Sequence, residues 1–143
     1  IKETIAWVRE QAKVPVWLVG TSRGTQSAAY VATELNGPDG PDGLVLTATI
    51  LADDKGHPVP AMPLDRLRIP VLVVHHEQDG CSLCLFSDIP NLTKKLDRVP
   101  KKQLLSFKGG QNSGDPCGPF AHHGFNGLER EVVGQIASWI LAN

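Results

Sequence analysis

Apolar and polar positions follow two different periods along this chain. Over residues 1–12, Ile1, Ile5, Val8 and Ala12 fall on one face and Lys2, Glu3, Arg9 and Glu10 on the other, the period of a surface helix packed on a sheet. Val14 to Gly20 is instead a nearly continuous apolar run with Pro15 at its head, where a missing N–H costs least. Such a run predicts a strand covered on both faces, and with it a mostly parallel sheet flanked by helices, the α/β class. From Ser22 the pattern predicts a helix through Ala28, Ala29, Val31, Ala32 and Leu35, stopping at Asn36-Gly37, where a glycine can take the left-handed cap. Turn residues from Gly37 to Gly43 lead into a second strand, Leu44 to Leu51. Prolines at 58, 60, 63 and 70 make Ala52 to Ile69 a loop with one helical turn near Leu64 to Leu67, and Pro70 to His76 is the third strand. A short basic helix over Leu92 to Val99 and a fourth strand, Gln103 to Lys108, follow. The last helix, Gly127 to Ala142, carries the stripe Leu128, Val132, Val133, Ile136, Trp139 and Ile140, with Asn126 and Glu129 spaced as a capping box.

Composition narrows the class without naming a function. The chain has 143 residues, 41% of them hydrophobic, which suits about one globular domain with its own core. Fourteen basic against fifteen acidic residues leave a net charge of −1 with no basic run, so a nucleic-acid surface is not expected. No apolar run approaches the roughly 18 to 20 residues that a bilayer span requires, and no membrane partner is expected.

The candidate chemistry is concentrated where the first strand breaks. Gly20-Thr21-Ser22-Arg23-Gly24 has the pattern of a nucleophile elbow, in which a serine sits on a strained strand-to-helix turn with glycines two positions to either side, where a side chain could collide with it. The helix behind the serine points free N–H groups at the position where negative charge would develop. Directly past the third strand come Glu77, Gln78, Asp79 and Gly80, and in open α/β sheets ligands bind outside the carboxyl ends of the strands, so Asp79 lies on the same edge as Ser22. His75 and His76, at the strand end itself, read as packing and hydrogen-bonding residues. His122 and His123 lie on a glycine-flanked loop ahead of the final helix. Asp53, Asp54 and His57 are fewer ligands than a closed metal site needs and read as solvated loop residues. No metal or cofactor is expected.

A serine on an elbow, an acid after a later strand and a histidine before the last helix run in the order of the α/β-hydrolase superfamily, which the whole chain resembles. The resemblance rests on Gly20 to Gly24, on the strand and acid from Pro70 to Asp79, and on His123-Gly124-Phe125. It implies a serine hydrolase acting on a small ester or related acyl substrate, with Ser22 as nucleophile, His123 as base, Asp79 as the acid that orients it, and the Arg23 N–H as one oxyanion-hole donor. His123 is preferred to His122 because Gly124 follows it and allows the turn that aims the ring at the serine. Arg23's side chain is assigned to a salt bridge in preference to a substrate carboxylate. The family has further strands ahead of the elbow, including the one that supplies the second oxyanion donor. The chain therefore resembles the C-terminal half to two-thirds of such a domain, and an N-terminal segment is expected as a preceding part, a second chain or further residues. The alternative is a non-catalytic hydrolase-like binding module, since fold does not fix function.

Once the triad loops are brought together, Cys81 and Cys117 are the pair that a disulfide would join, tying the acid loop to the base loop. Cys84 is the rival partner, and free thiols are the remaining possibility. A disulfide would favour a periplasmic or secreted protein over a cytoplasmic one. A zinc site is not expected, because no Cys-x-x-Cys pair has a matching second pair.

Overall fold

The computed structural model describes residues 1–143. Four parallel strands, β1 (Trp17–Thr21), β2 (Gly43–Thr47), β3 (Val71–His76) and β4 (Lys102–Phe107), form one sheet in the order β1-β2-β3-β4. Helices α1 (Lys2–Ala12), α2 (Arg23–Glu34), α3 (Ile89–Thr93) and α4 (Glu129–Leu141) lie around it. Strands β2 and β3 are buried at every residue, as their unbroken apolar sequences require. Alternation along them divides the core. Leu44, Leu46, Val71 and Val73 face Ala28, Ala29 and Ala32 of α2 and Leu92 of α3. Val45, Leu72 and Val74 face Phe107, Phe125, Val132 and Trp139. The small α2 residues let that helix sit close to the sheet.

The structure departs from the sequence pattern at several points. β1 is not covered on both faces: Gly20 is its only buried residue, and Val19 is 54% exposed. It pairs with β2 alone, so it is an edge strand. The apolar face of α1 is likewise mostly open, with Ile5 its only buried residue. Strand β2 stops at Thr47 because Ala48 takes a positive φ of 44°, a conformation that breaks the strand four residues before the expected end. The third helix starts earlier than the basic stretch suggests, at Ile89 with Pro90 in its first turn, where proline's missing N–H has no intrahelical partner to lose. The expected capping box does not form. Leu128 occupies the N-cap of α4, Glu129 Oε1 accepts the Gly127 N–H at 3.0 Å, and Asn126 donates to the Phe120 carbonyl instead. Val133, placed in the α4 stripe by its spacing, is 63% exposed.

No helix is long and apolar enough to cross a membrane. The connection from β2 to β3 contains two short 3-10 turns, Val59–Ala61 and Leu64–Arg66, and no lid of helices.

Candidate active site

The carboxyl ends of β1 and β3 and the loop after β4 converge on one edge of the sheet. Ser22 joins β1 to α2 with φ 51° and ψ −123°, a backbone region that costs a non-glycine residue on the order of 1–3 kcal/mol. The turn is held from both sides. The Ser22 N–H donates to the Thr47 carbonyl at 3.0 Å, and the Ser22 carbonyl accepts from the Thr25 hydroxyl at 2.6 Å. Gly20 is required by space, since a Cβ there would lie 2.7 Å from the Gly24 carbonyl oxygen and 2.9 Å from Ala28 Cβ. Gly24 is not, since a Cβ there would meet nothing within 4 Å.

Asp79 follows β3 in a turn closed by its N–H on the His76 carbonyl. It is 5% exposed, and its Oδ1 accepts the Cys81 N–H at 2.9 Å. His123 is 3% exposed and sits in the 3-10 turn His122–Gly124. Gly124 admits the close approach of the Pro119 carbonyl, which would lie 2.2 Å from any Cβ. Across 44 residues His123 Nδ1–H donates to Asp79 Oδ2 at 2.9 Å, and across 101 residues the Ser22 hydroxyl donates to His123 Nε2 at 2.9 Å. The three candidate residues therefore form one hydrogen-bonded chain. Arg23 is the first residue of α2, directly after Ser22, at the helix end where the first backbone N–H groups lack acceptors in a preceding turn.

His122 does not enter this chain. It stacks on His76 with ring centroids 4.3 Å apart and donates from Nδ1 to the Gln78 carbonyl at 3.2 Å. Both His75 and His76 are fully buried, one on each face of the sheet, where spacing alone places only one inward. Burial pulls the pKa of each below the usual histidine value, so both are held neutral.

Beside the serine, the Arg23 guanidinium pairs with Asp53, which also accepts from Gln26 Nε2 and the Lys55 N–H. The Lys55 N–H and the Arg23 guanidinium hold the Asp53 carboxyl below the ordinary carboxylate range. Asp53 is thus committed to an ion pair rather than solvated, and the signal missed in the sequence was a charge opposite to Arg23 one loop away. Asp54 and His57 hold no ligand-like cluster with it. A groove of about 520 Å³ runs along α2, lined by Gln26, Ser27, Tyr30, His57 and Met62, and none of the three hydrogen-bonded residues lines it.

Cys81 and Cys117 form a disulfide, which ties the loop carrying Asp79 to the loop carrying His123. Cys84 is free and buried, and burial pushes its thiol up to about 12. Cys81, Cys84 and His123 each hold a potential ligand atom within 4.8 Å of the others, but the Cys81 sulfur is taken by the disulfide.

No protein-family profile matches this chain, and no curated protein matches it in sequence. Solved structures do. The esterase domain of a Rhodothermus marinus protein superposes with a TM-score of 0.54 at 16% identity, over 75% of this chain and 55% of that one. The acetyl ester-xyloside bifunctional hydrolase of Caldicellulosiruptor lactoaceticus superposes with a TM-score of 0.63 at 17% identity, over 99% of this chain and 63% of that one. The chain thus has an esterase-like α/β-hydrolase fold, and it spans less than two-thirds of the length of these two structures.

Proposed function

We propose that this chain carries the catalytic residues of a serine hydrolase for small esters. The observation that carries the reading is the continuous hydrogen-bonded chain from Ser22 through His123 to Asp79 at a strained strand-to-helix turn. Ser22 Oγ attacks the ester carbonyl carbon while His123 Nε2 takes the hydroxyl proton, and Asp79 holds the Nδ1–H tautomer and stabilises the imidazolium. The Arg23 N–H donates to the oxyanion. His123 then protonates the departing alkoxide, the alcohol leaves, and water activated by the same histidine releases the acid and restores Ser22.

The short β2-to-β3 connection supports an open site, and the likeness to an acetyl ester-xyloside bifunctional hydrolase makes acetyl esters the first substrates to try. Further strands beyond the open edge of β1, in the same polypeptide or another, supply the second oxyanion donor and cover Val19. An oxidising compartment, periplasmic or extracellular, agrees with the disulfide.

Covalent labelling with a fluorophosphonate, read on the intact chain and by peptide mapping, tests this. Labelling at Ser22 that is lost in Ser22→Ala and His123→Ala is the expected result. Absence of labelling in a sample that contains those further strands would instead make the protein a hydrolase-like binding module.

A further inference from the structure

His75 lies under the acid of the proposed triad and touches neither Ser22 nor His123 by hydrogen bond. Its side chain is fully buried against Phe86, at a centroid distance of 6.2 Å. Its Nε2 lies 2.6 Å from the Cys84 carbonyl oxygen and 3.7 Å from Asp79 Oδ2. A carbonyl only accepts, so Nε2 carries the proton. Nδ1 is buried and has no partner. A second proton there would be a buried N–H without an acceptor, which is why the ring stays neutral.

This geometry gives the Asp79 carboxylate three N–H groups: Cys81 N–H on Oδ1, His123 Nδ1–H on Oδ2, and the His75 N–H dipole beyond hydrogen-bond distance. The titratable groups around His75 are Asp79 and Cys84 on the following loop, His76 beside it on β3, and His123 from the base loop. A charged His75 would compete with His123 for Asp79. A neutral one orients the carboxylate and leaves its charge for His123.

We infer that His75 is a positioning residue for Asp79: a neutral Nε2–H imidazole that clamps the acid loop at the Cys84 carbonyl and steadies the carboxylate while His123 is uncharged. The inference rests on the triad reading above. Its consequence has a sign. With His123 neutral, the site holds the bare Asp79 charge, which the His75 dipole stabilises. With His123 protonated, the pair is neutral overall and the dipole matters less. Removing the dipole therefore favours protonated His123 and moves the acid limb of kcat/KM to higher pH.

The test uses 4-nitrophenyl acetate hydrolysis and fluorophosphonate labelling across pH for the unsubstituted chain, His75→Leu, His75→Gln and His76→Gln. His75→Leu is expected to lose about tenfold or more in kcat, as supporting-shell changes typically do. Its acid limb should rise by about half a pH unit. His75→Gln keeps a donor for Cys84 and should recover most of both, while His76→Gln, which acts on the base loop, should leave the acid limb in place. An unmoved limb in His75→Leu, or equal losses in the Leu and Gln variants, would overturn the inference. Should His75→Leu not fold, imidazole ¹⁵N NMR of the unsubstituted chain decides: a protonated Nε2 with a bare Nδ1 between pH 5 and 8 is expected, and an Nδ1–H or doubly protonated ring refutes it. If the unsubstituted chain joined to its further strands fails to label at Ser22, the triad reading fails first, and the inference with it.

Discussion

Strands β1 and β3 belong to one parallel sheet, separated only by β2, yet β3 is buried at all six positions and β1 only at Gly20. The difference divides the candidate site. Its acid and base lie at the enclosed end, fastened by a disulfide, two buried histidines and a bidentate set of N–H donors on Asp79. Its serine lies at the open end, on an edge strand whose side chains are half in water. The hydrogen-bonded chain of Ser22, His123 and Asp79 therefore does not require uniform burial of the strands that carry it. The strained turn at Ser22 is held instead by hydrogen bonds to two buried neighbours, Thr47 of β2 and Thr25 of α2.

The largest losses are expected at the enclosed end. Asp79→Asn keeps the size of the acid but removes its charge and offers the wrong partner to His123 Nδ1. Esterase kcat should fall by about 10⁴-fold, by analogy with the same change in other serine triads, while the folded content by circular dichroism is retained. Leu46→Ala, in the fully buried β2, should cost about 2–5 kcal/mol in urea unfolding, because it empties core volume against α2. Cys117→Ser should cost about 2–4 kcal/mol and lower Tm, since it frees a loop closed over 36 residues.

A pH series sharpens the contrast further. His75 and His76 have folded-state pKa values below the ordinary 6.5, so below pH 6.5 the unfolded chain binds protons that the folded chain refuses. Their contribution to stability is fully present above pH 6.5 and is lost as pH falls from there toward the folded-state values. The denaturant midpoint should therefore drop between pH 7.5 and 5, and less so in His76→Gln. The smallest effect is expected at the open end, where Val19→Ala in this chain alone, without the further strands proposed above, should change stability by less than about 0.5 kcal/mol. A cost there as large as at Leu46 would mean that β1 is covered in solution.

Much of this arrangement was legible in local pattern. The apolar runs at Leu44 and Val71, the helix behind Ser22 and the stripe on the last helix depend on side chains within a few residues of one another, and periodicity reports them directly. Gly20 and Gly124 were legible for the same reason: each serves a close approach to a residue within eight positions along the chain. What failed were statements about what lies opposite. Covering of β1 and the full burial of both His75 and His76 depend on other segments; the salt bridge expected at Arg23 forms, but its partner, Asp53, lies on another loop, and Val133 is exposed because helical spacing says which residues share a face without saying how wide the neighbour is.

The class of the fold, the order serine, acid, histidine along the chain, and the turn chemistry at each of those positions follow from residue order, backbone sterics and short-range periodicity. That residues 22, 79 and 123 share one hydrogen-bonded chain, that Cys81 takes Cys117 rather than Cys84, and that His75 lies beside Asp79 are set by the packing of the folded chain. Those are contacts between segments tens of residues apart, and their energies arise from burial and from partners that no local window contains.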